Sequence, residues 1–180
     1  MADREKPDDT ENKTPWLDFG EQRESTFVSD VAPELGLDAV RNPAKDDDPT
    51  ALDLLVDGDP ADLKTQETPF FTAEKHYGLP PQWTVTFNAN DYQRYQTKDD
   101  PDIYFWVRWR DELDGYGAEV QEMEGVWRAP FPHIRDAIES EDAPLHHYQR
   151  RRGDTENANA SYLLDLRQMH RVELFTGPEV

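Results

Sequence analysis

The stretch TALDLLVDGDPADLKTQ, residues 50–66, decides how the middle of this chain folds. Two short apolar runs lie on either side of Asp57-Gly58, and this dipeptide is a strong signal for a two-residue turn between antiparallel strands. Pro60 has no backbone N–H and therefore limits where the second strand begins. The pattern predicts a β-hairpin whose second strand runs through ADLKTQ.

The second strand of this hairpin brings charged side chains together. Residues i and i+2 of a strand point to one face, so Asp62 and Lys64 share a face, with Gln66 next along it. The preceding strand brings Asp53 to the same patch if the register allows. Two converging carboxylates repel each other unless a cation lies between them, and hard oxygen ligands of this kind suit Mg²⁺. The pattern therefore predicts a metal site with a lysine beside it.

A simpler interpretation of the same residues is a solvated strand face. Asp62 and Lys64 would then form an exposed ion pair that contributes little to stability. Lysine is scarce here, however, with only six in 180 residues. A lysine two positions after an acid on a predicted strand therefore favours the functional interpretation.

The composition is that of a folded and strongly acidic protein. Asp and Glu number 39 against 19 Lys and Arg, which gives a net charge of −20. A disordered acidic chain would lack aromatic residues, whereas they make up 11% of this one. An acid-coated surface is typical of a soluble protein from a high-salt cytoplasm, where dense counterions screen the self-repulsion. At molar salt the net charge does not exclude DNA as a partner, because phosphate neutralisation is already weak there.

The sequence shows no pattern typical of a signal peptide or a membrane span, and it contains no Cys. Residues 1–15 have no apolar core of the kind found in signal peptides, and no apolar run approaches membrane-spanning length. The absence of Cys excludes disulfides and zinc–thiolate sites. We expect a soluble cytoplasmic protein with no membrane partner. Residues 1–15 are predicted to be a disordered acidic arm, and residues 16–180 to form one domain.

The pattern along the chain predicts a mixed α/β fold. A helix is expected from Trp16 to Leu37, followed by the hairpin and by a third strand at WTVTFN, residues 83–88. A short helix at ANDYQRYQ precedes DIYFWVRW, residues 102–109, whose continuous apolar run predicts a strand buried on both faces. The predicted order is helix, strand, strand, strand, helix, strand in a mixed sheet, with a C-terminal extension over residues 110–180.

The motif Asp-x(8)-Asp-x-Lys, on paired strands that follow an acidic helix, resembles the PD-(D/E)xK nuclease superfamily. The core shared by that superfamily has the element order given above, and the resemblance covers about residues 20–109. It implies a restriction-endonuclease-like fold and Mg²⁺-dependent hydrolysis of DNA phosphodiesters, with Mn²⁺ as a substitute. Together with the composition, it implies a halophilic archaeon, or its mobile element or virus, as the source. Many members are dimers, so a homodimer is one expectation.

The resemblance also implies which residues hold the metal. Asp53 would be the first motif acid and Asp62 the second, with the main-chain carbonyl of Leu63 as a further ligand. Many members use a Glu from the first helix near the metal. Glu24 shares the predicted apolar face of that helix and fits this role best, with Glu21 one turn earlier as the reserve.

The remaining motif positions are a lysine and a polar residue. Lys64 would be the motif lysine, which positions water and stabilises charge, and Gln66 stands where some members carry a polar active-site residue. Two positions depart from the family pattern. Leu52 stands before the first acid in place of proline, and the second acid is Asp62 where Glu is commoner.

Two further interpretations follow from the sequence. Arg150, Arg151 and Arg152 form a basic cluster that would either contact DNA phosphates or offset nearby acids. The same fold could also serve as a catalytically inactive module for nucleic-acid binding or protein assembly in a halophile. In that case the acids would have a structural role only.

Overall fold

The computed structural model describes residues 13–110, 112–113, 118–148 and 160–173. Five α-helices lie in these ranges: α1 (Lys13–Thr26), α2 (Ala32–Glu34), α3 (Ala73–Tyr77), α4 (Ala89–Tyr95) and α5 (Phe131–Glu139). A π-helical turn, Phe27–Val31, joins α1 to α2, and 3-10 turns occupy Pro43–Asp46, Pro81–Trp83 and Leu166–Gln168. Most of the helical residues predicted between Trp16 and Leu37 are therefore confirmed as helical.

Eleven strands are found in the described ranges. They are β1 (Ala39–Arg41), β2 (Leu54–Val56), β3 (Asp59–Gln66), β4 (Thr84–Asn88), β5 (Asp102–Trp109), β6 (Glu112–Leu113), β7 (Glu119–Val120), β8 (Met123–Pro130), β9 (Leu145–His147), β10 (Ala160–Asp165) and β11 (His170–Arg171). One mixed sheet has six strands in the order β1-β2-β3-β5-β8-β11. A smaller antiparallel sheet has the order β4-β10-β9, and β6 pairs with β7. The chain is thus an α+β protein.

The chain divides into two compact units. Among the described residues, the first unit contains 13–61 and 173, and the second contains 62–172. Strand β3 begins in the first unit and continues into the second. Each unit has its own set of charged side chains, so each is described by itself.

The first unit contains a helix end and the hairpin, and both depend on glycine. Gly36 has a left-handed φ of 67° directly after the last helical turn, and Leu37 N–H donates to the carbonyl of Ala32 across that turn. In the hairpin, β2 pairs antiparallel with β3, with Leu54 opposite Ala61. The intervening Asp57 and Gly58 have φ values of 52° and 89°, as a two-residue hairpin turn requires. The hairpin prediction is confirmed.

The second unit is built around the long antiparallel pair of β5 and β8. This pair extends from Asp102 opposite Pro130 to Trp109 opposite Met123. Residues 103–107 of β5 are all buried, so both faces of the strand are covered. This burial confirms the prediction for DIYFWVRW. A continuous apolar run is typical of a strand that is covered on both faces.

The arrangement of strands differs from the prediction in two respects. The predicted third strand forms as β4, but it pairs with β10 in the smaller sheet and is absent from the six-stranded one. The short strand β1 was not predicted, and it pairs antiparallel with β2. Three antiparallel strands, β1, β2 and β3, therefore follow the first helix, and β5 is the next strand beside β3. The restriction-endonuclease-like core itself stays a prediction.

The turn at Gly58 gives a direct test of the hairpin. A Cβ built at Gly58 meets no atom within 4 Å, so the cost of Gly58→Ala comes from the left-handed backbone alone. We expect this variant to lose about 1–2 kcal/mol of unfolding free energy in a denaturant titration. Gly20→Ala is the matched control, because Gly20 lies within α1 with equally open space. It should gain about 1 kcal/mol. An unchanged stability for Gly58→Ala would contradict the turn.

Candidate functional site

In the first unit, one lysine ammonium lies between two carboxylates. Lys45 Nζ is 2.9 Å from Glu24 Oε1 and 2.6 Å from Asp53 Oδ1. All three side chains are mostly buried, with exposed fractions of 16–19%. We call these residues the Lys45 cluster. Glu24 comes from α1 and Asp53 from the bend before β2, so two separate segments converge on a single positive charge.

Asn42 holds the segment that carries Lys45. Its backbone N–H donates to the carbonyl of Asp53, and its side-chain Nδ2 donates to the carbonyl of Leu52, both at 2.9 Å. Asn42 Oδ1 accepts from the N–H of Ala44 and caps the 3-10 turn in which Lys45 lies. This buried asparagine therefore ties the lysine-bearing turn to the segment that carries Asp53.

The environment keeps Lys45 charged. Burial alone lowers the pKa of its ammonium, but the hydrogen bonds to Asp53 and Glu24 outweigh burial and raise the pKa above its usual value. The cluster thus brings two carboxylates to one ammonium. An arrangement of this kind accommodates a cation at a defined position.

In the second unit, five side chains form a connected set of polar contacts. Lys64 Nζ is 2.6 Å from Asp62 Oδ2 and 2.6 Å from Asp91 Oδ2. Arg94 Nη2 is 2.9 Å from Asp91 Oδ1 and donates to the hydroxyl of Tyr95 at 3.0 Å. The Tyr95 hydroxyl in turn donates to Asp62 Oδ2. We call this set the Lys64 ring.

The Lys64 ring is electrically balanced. Its two carboxylates are matched by one ammonium and one guanidinium, and its tyrosine stays neutral. Burial raises the pKa of the Tyr95 phenol, and the nearby Asp62 raises it further against the opposing effect of Lys64. Burial lowers the pKa of Lys64, but the attraction of Asp62 and its other partners outweighs this and raises the pKa well above its usual value. Asp62 is only 1% exposed, so its charge depends on these partners.

Gln66 has a structural position in the second unit. Its amide Nε2 donates to the carbonyl of Thr86 at 2.7 Å, and its Oε1 accepts from the N–H of Thr86 at 3.1 Å. The Gln66 side chain thus bonds both the N–H and the carbonyl of Thr86 in β4, which is the pattern that the backbone of a paired strand would provide. These contacts tie β3 to β4 within the second unit.

Other predicted site residues lie in a range of environments. Asp53 precedes β2 by one residue and does not belong to the strand in which it was predicted. Leu63 is buried within β3, and Glu21 is exposed on α1. Arg150, Arg151 and Arg152 lie outside the described residues. Within the described ranges, no group of three or more His, Cys, Asp or Glu side chains is placed to hold a metal ion.

Sequence reasoning missed four residues of these clusters: Lys45, Asp91, Arg94 and Tyr95. Lys45 lies in a 3-10 turn, and only its contacts with Glu24 and Asp53 distinguish it. Asp91 and Tyr95 are four residues apart on α4 and therefore lie on the same helix face. The spacing of Asp91 and Tyr95 on one helix face was the sequence signal for a polar cluster on α4. The scarcity of lysine was the signal that Lys45 and Lys64 have specific partners.

No family model, no curated protein and no solved structure matches the chain. In the part of the chain that the structure describes, no helix is long and apolar enough to cross a membrane. The Lys45 cluster and the Lys64 ring are therefore the features from which a function can be inferred.

Removing Lys64 tests whether the ring stabilises the fold. Lys64→Met leaves the buried Asp62 without its ammonium partner, so we expect a loss of about 3–5 kcal/mol in urea or thermal unfolding. The double variant Asp62→Asn with Lys64→Met should recover part of this loss, because the uncompensated charge is gone.

Arg167→Met is the matched control for the loss of one positive charge. Arg167 is paired with Asp165 in the same unit but is about half exposed, so its removal should change stability little. Equal losses for Lys64→Met and Arg167→Met would contradict a buried ring.

Proposed function

We propose that this chain is a Mg²⁺-dependent enzyme that hydrolyses phosphodiester bonds in DNA, in the manner of the PD-(D/E)xK nucleases. The observation that carries the proposal is the Lys45 cluster, in which Glu24 and Asp53 converge on one cation. Both were expected near a metal from the motif. Carboxylate oxygens are hard ligands, and Mg²⁺ is commonly held by one or two of them together with water and substrate phosphate. The donor set therefore fits the metal.

The order of strands supports the same family. Along the chain, a helix is followed by three antiparallel strands, then by α3, β4 and α4, and then by β5, which lies beside β3 in the sheet. The first acid comes directly before Leu54 and the second directly after Ala61, and these two residues are partners in the hairpin. This register supports the proposed assignment of the motif Asp-x(8)-Asp-x-Lys.

The proposed metal ligands are Asp53, Asp62 and the main-chain carbonyl of Leu63, with Glu24 assisting from α1. A bound Mg²⁺ or Mn²⁺ would stabilise charge on a phosphoryl oxygen and lower the pKa of a bound water. Asp53 would gain a second cation to interact with, in place of or beside Lys45. Asp62 would contribute a carboxylate whose position is already restricted by Tyr95 and Lys64.

Lys64 supplies a fixed positive charge in this proposal. Its ammonium is held at two carboxylates at 2.6 Å each, so it does not have to be ordered when substrate arrives. A preorganised charge of this kind stabilises developing negative charge without reorganisation. Gln66 would act indirectly, because its amide holds β3 to β4 beside the motif lysine. DNA is the proposed partner and a cytoplasmic location is part of the proposal; a homodimer would suit cleavage of both strands.

A cleavage assay tests the proposed reaction. Supercoiled plasmid and branched DNA are incubated in molar KCl with Mg²⁺ or Mn²⁺, using the wild type, Asp53→Asn, Asp62→Asn and Lys64→Met. We expect metal-dependent nicking that falls by 100-fold or more in each variant, on the order of 3 kcal/mol in barrier height. Asp136→Asn, an exposed acid of α5, is the control and should keep full activity. Circular dichroism establishes that each variant is folded. Cleavage that survives both Asp62→Asn and Lys64→Met would rule out this site.

Lys45 gives a test of the metal position that does not depend on activity. Lys45→Met leaves Glu24 and Asp53 without their shared cation, so the variant should be less stable in EDTA. Added Mg²⁺ should stabilise this variant by about 2.7 kcal/mol at a hundredfold excess over its dissociation constant, and it should stabilise the wild type by less.

Thermal unfolding at constant ionic strength measures this effect. Arg41→Met is the control, because Arg41 lies in the same segment and pairs with the exposed Asp46. An identical Mg²⁺ effect in the wild type, Lys45→Met and Arg41→Met would mean that no divalent cation takes this position.

A second candidate function is a non-catalytic module for nucleic-acid binding or protein assembly. The observation that favours it is the electrical balance of the Lys64 ring, in which both carboxylates already have cationic partners. The acids would then stabilise the fold and nothing more. Absence of cleavage on every DNA form, together with absence of Mg²⁺-dependent stabilisation in the wild type and in Lys45→Met, would favour this candidate over the enzyme.

A further inference from the structure

We propose that Tyr95 is the residue that positions Lys64 and Asp62 for the reaction, a role that lies outside the sequence motif. This inference rests on the proposed function for its kinetic part, and on the geometry of the Lys64 ring for its structural part. Tyr95 is at the end of α4 and is fully buried. It contacts both motif residues directly.

The Tyr95 hydroxyl uses its full hydrogen-bonding capacity within the ring. A phenol offers one donor and two acceptor positions. The donor goes to Asp62 Oδ2, and the acceptor positions receive Lys64 Nζ at 3.2 Å and Arg94 Nη2 at 3.0 Å. The orientation of the hydroxyl is therefore determined by three partners, and the position of each partner is restricted in return.

The Lys64 ammonium is satisfied in the same way. An ammonium has three donors, and here they go to Asp62, Asp91 and Tyr95. The four-carbon stem of lysine is flexible, so a charge at its end occupies a single position only when its partners specify one. Asp62 and Asp91 are charged acceptors, and the neutral Tyr95 hydroxyl is the third acceptor, so all three hydrogen bonds together define the position of the ammonium.

The partners of Lys64 differ in exposure. The Asp62 side chain is 2% exposed and that of Asp91 is 17% exposed. The bond to Asp91 therefore lies toward the more accessible side of the ring, where a phosphoryl oxygen could replace the Asp91 carboxylate as acceptor. Tyr95 and Asp62 would then keep Lys64 in place while that exchange occurs. Tyr95 is for this reason a positioning residue and not a catalytic one.

Tyr95→Phe removes only the hydroxyl and leaves the aromatic side chain at position 95 packed against Phe87 and Phe131. Tyr92→Phe is the matched control, because Tyr92 is a buried tyrosine of the same helix that packs against Phe131 and Tyr162. The two variants make the same chemical change on one helix, inside and outside the Lys64 ring. Any general effect of losing a buried phenol is therefore shared.

The structural readout is the NMR signal of the lysine ammonium groups. An ammonium held by three hydrogen bonds exchanges its protons slowly, and a ¹⁵N-labelled sample should show the Lys64 signal, assigned by its loss in Lys64→Arg. We expect this signal to shift or broaden in Tyr95→Phe and to stay unchanged in Tyr92→Phe. An unchanged signal in Tyr95→Phe would overturn the positioning role.

The kinetic readout is the division of the effect between kcat and KM in the plasmid assay. Loss of a positioning contact should lower kcat by about 10- to 100-fold and leave KM within about twofold. A wild type that cleaves DNA while Tyr95→Phe keeps its kcat would overturn the inference and leave the proposed function standing. A wild type without cleavage would overturn the proposed function, and the ammonium signal would still decide the structural role of Tyr95.

Discussion

A buried carboxylate that must stay charged is the constraint on which the second unit depends. Asp62 lies in the middle of β3 and is almost inaccessible to water. An ionised group in that position needs cationic and hydrogen-bonding partners, because burial alone would favour its neutral form. Lys64 and Tyr95 provide these partners, and Asp91 and Arg94 complete the balance of charge. Helix α4 is thereby tied to β3 through polar contacts as well as through packing.

The same physical requirement is met differently in the first unit. There the Glu24 and Asp53 carboxylates share one ammonium, whereas in the Lys64 ring two carboxylates are matched by one ammonium and one guanidinium. In each unit the charged contacts hold together side chains from separate segments of the chain.

Much of the fold followed from local patterns. Asp57-Gly58 predicted the hairpin because a two-residue turn needs positive φ, which glycine adopts without strain. The apolar run of residues 102–109 predicted a fully covered strand. Strand β1 was not predicted, because three residues are too few to show a periodic pattern. Strand β4 was predicted as a strand, but its pairing with β10 was not. Strand pairing depends on residues that are distant in sequence, and no local pattern records it.

The sequence by itself determined that Asp62, Lys64 and Gln66 share one face of a strand, because alternation along a strand is a property of the backbone. Only the tertiary structure decided what each side chain contacts. It directed Gln66 to the backbone of β4, brought Asp91 and Tyr95 to Lys64, and placed Lys45 between Glu24 and Asp53. These partners are far apart in sequence, and they come together because buried charges must be compensated wherever the chain can bring a partner.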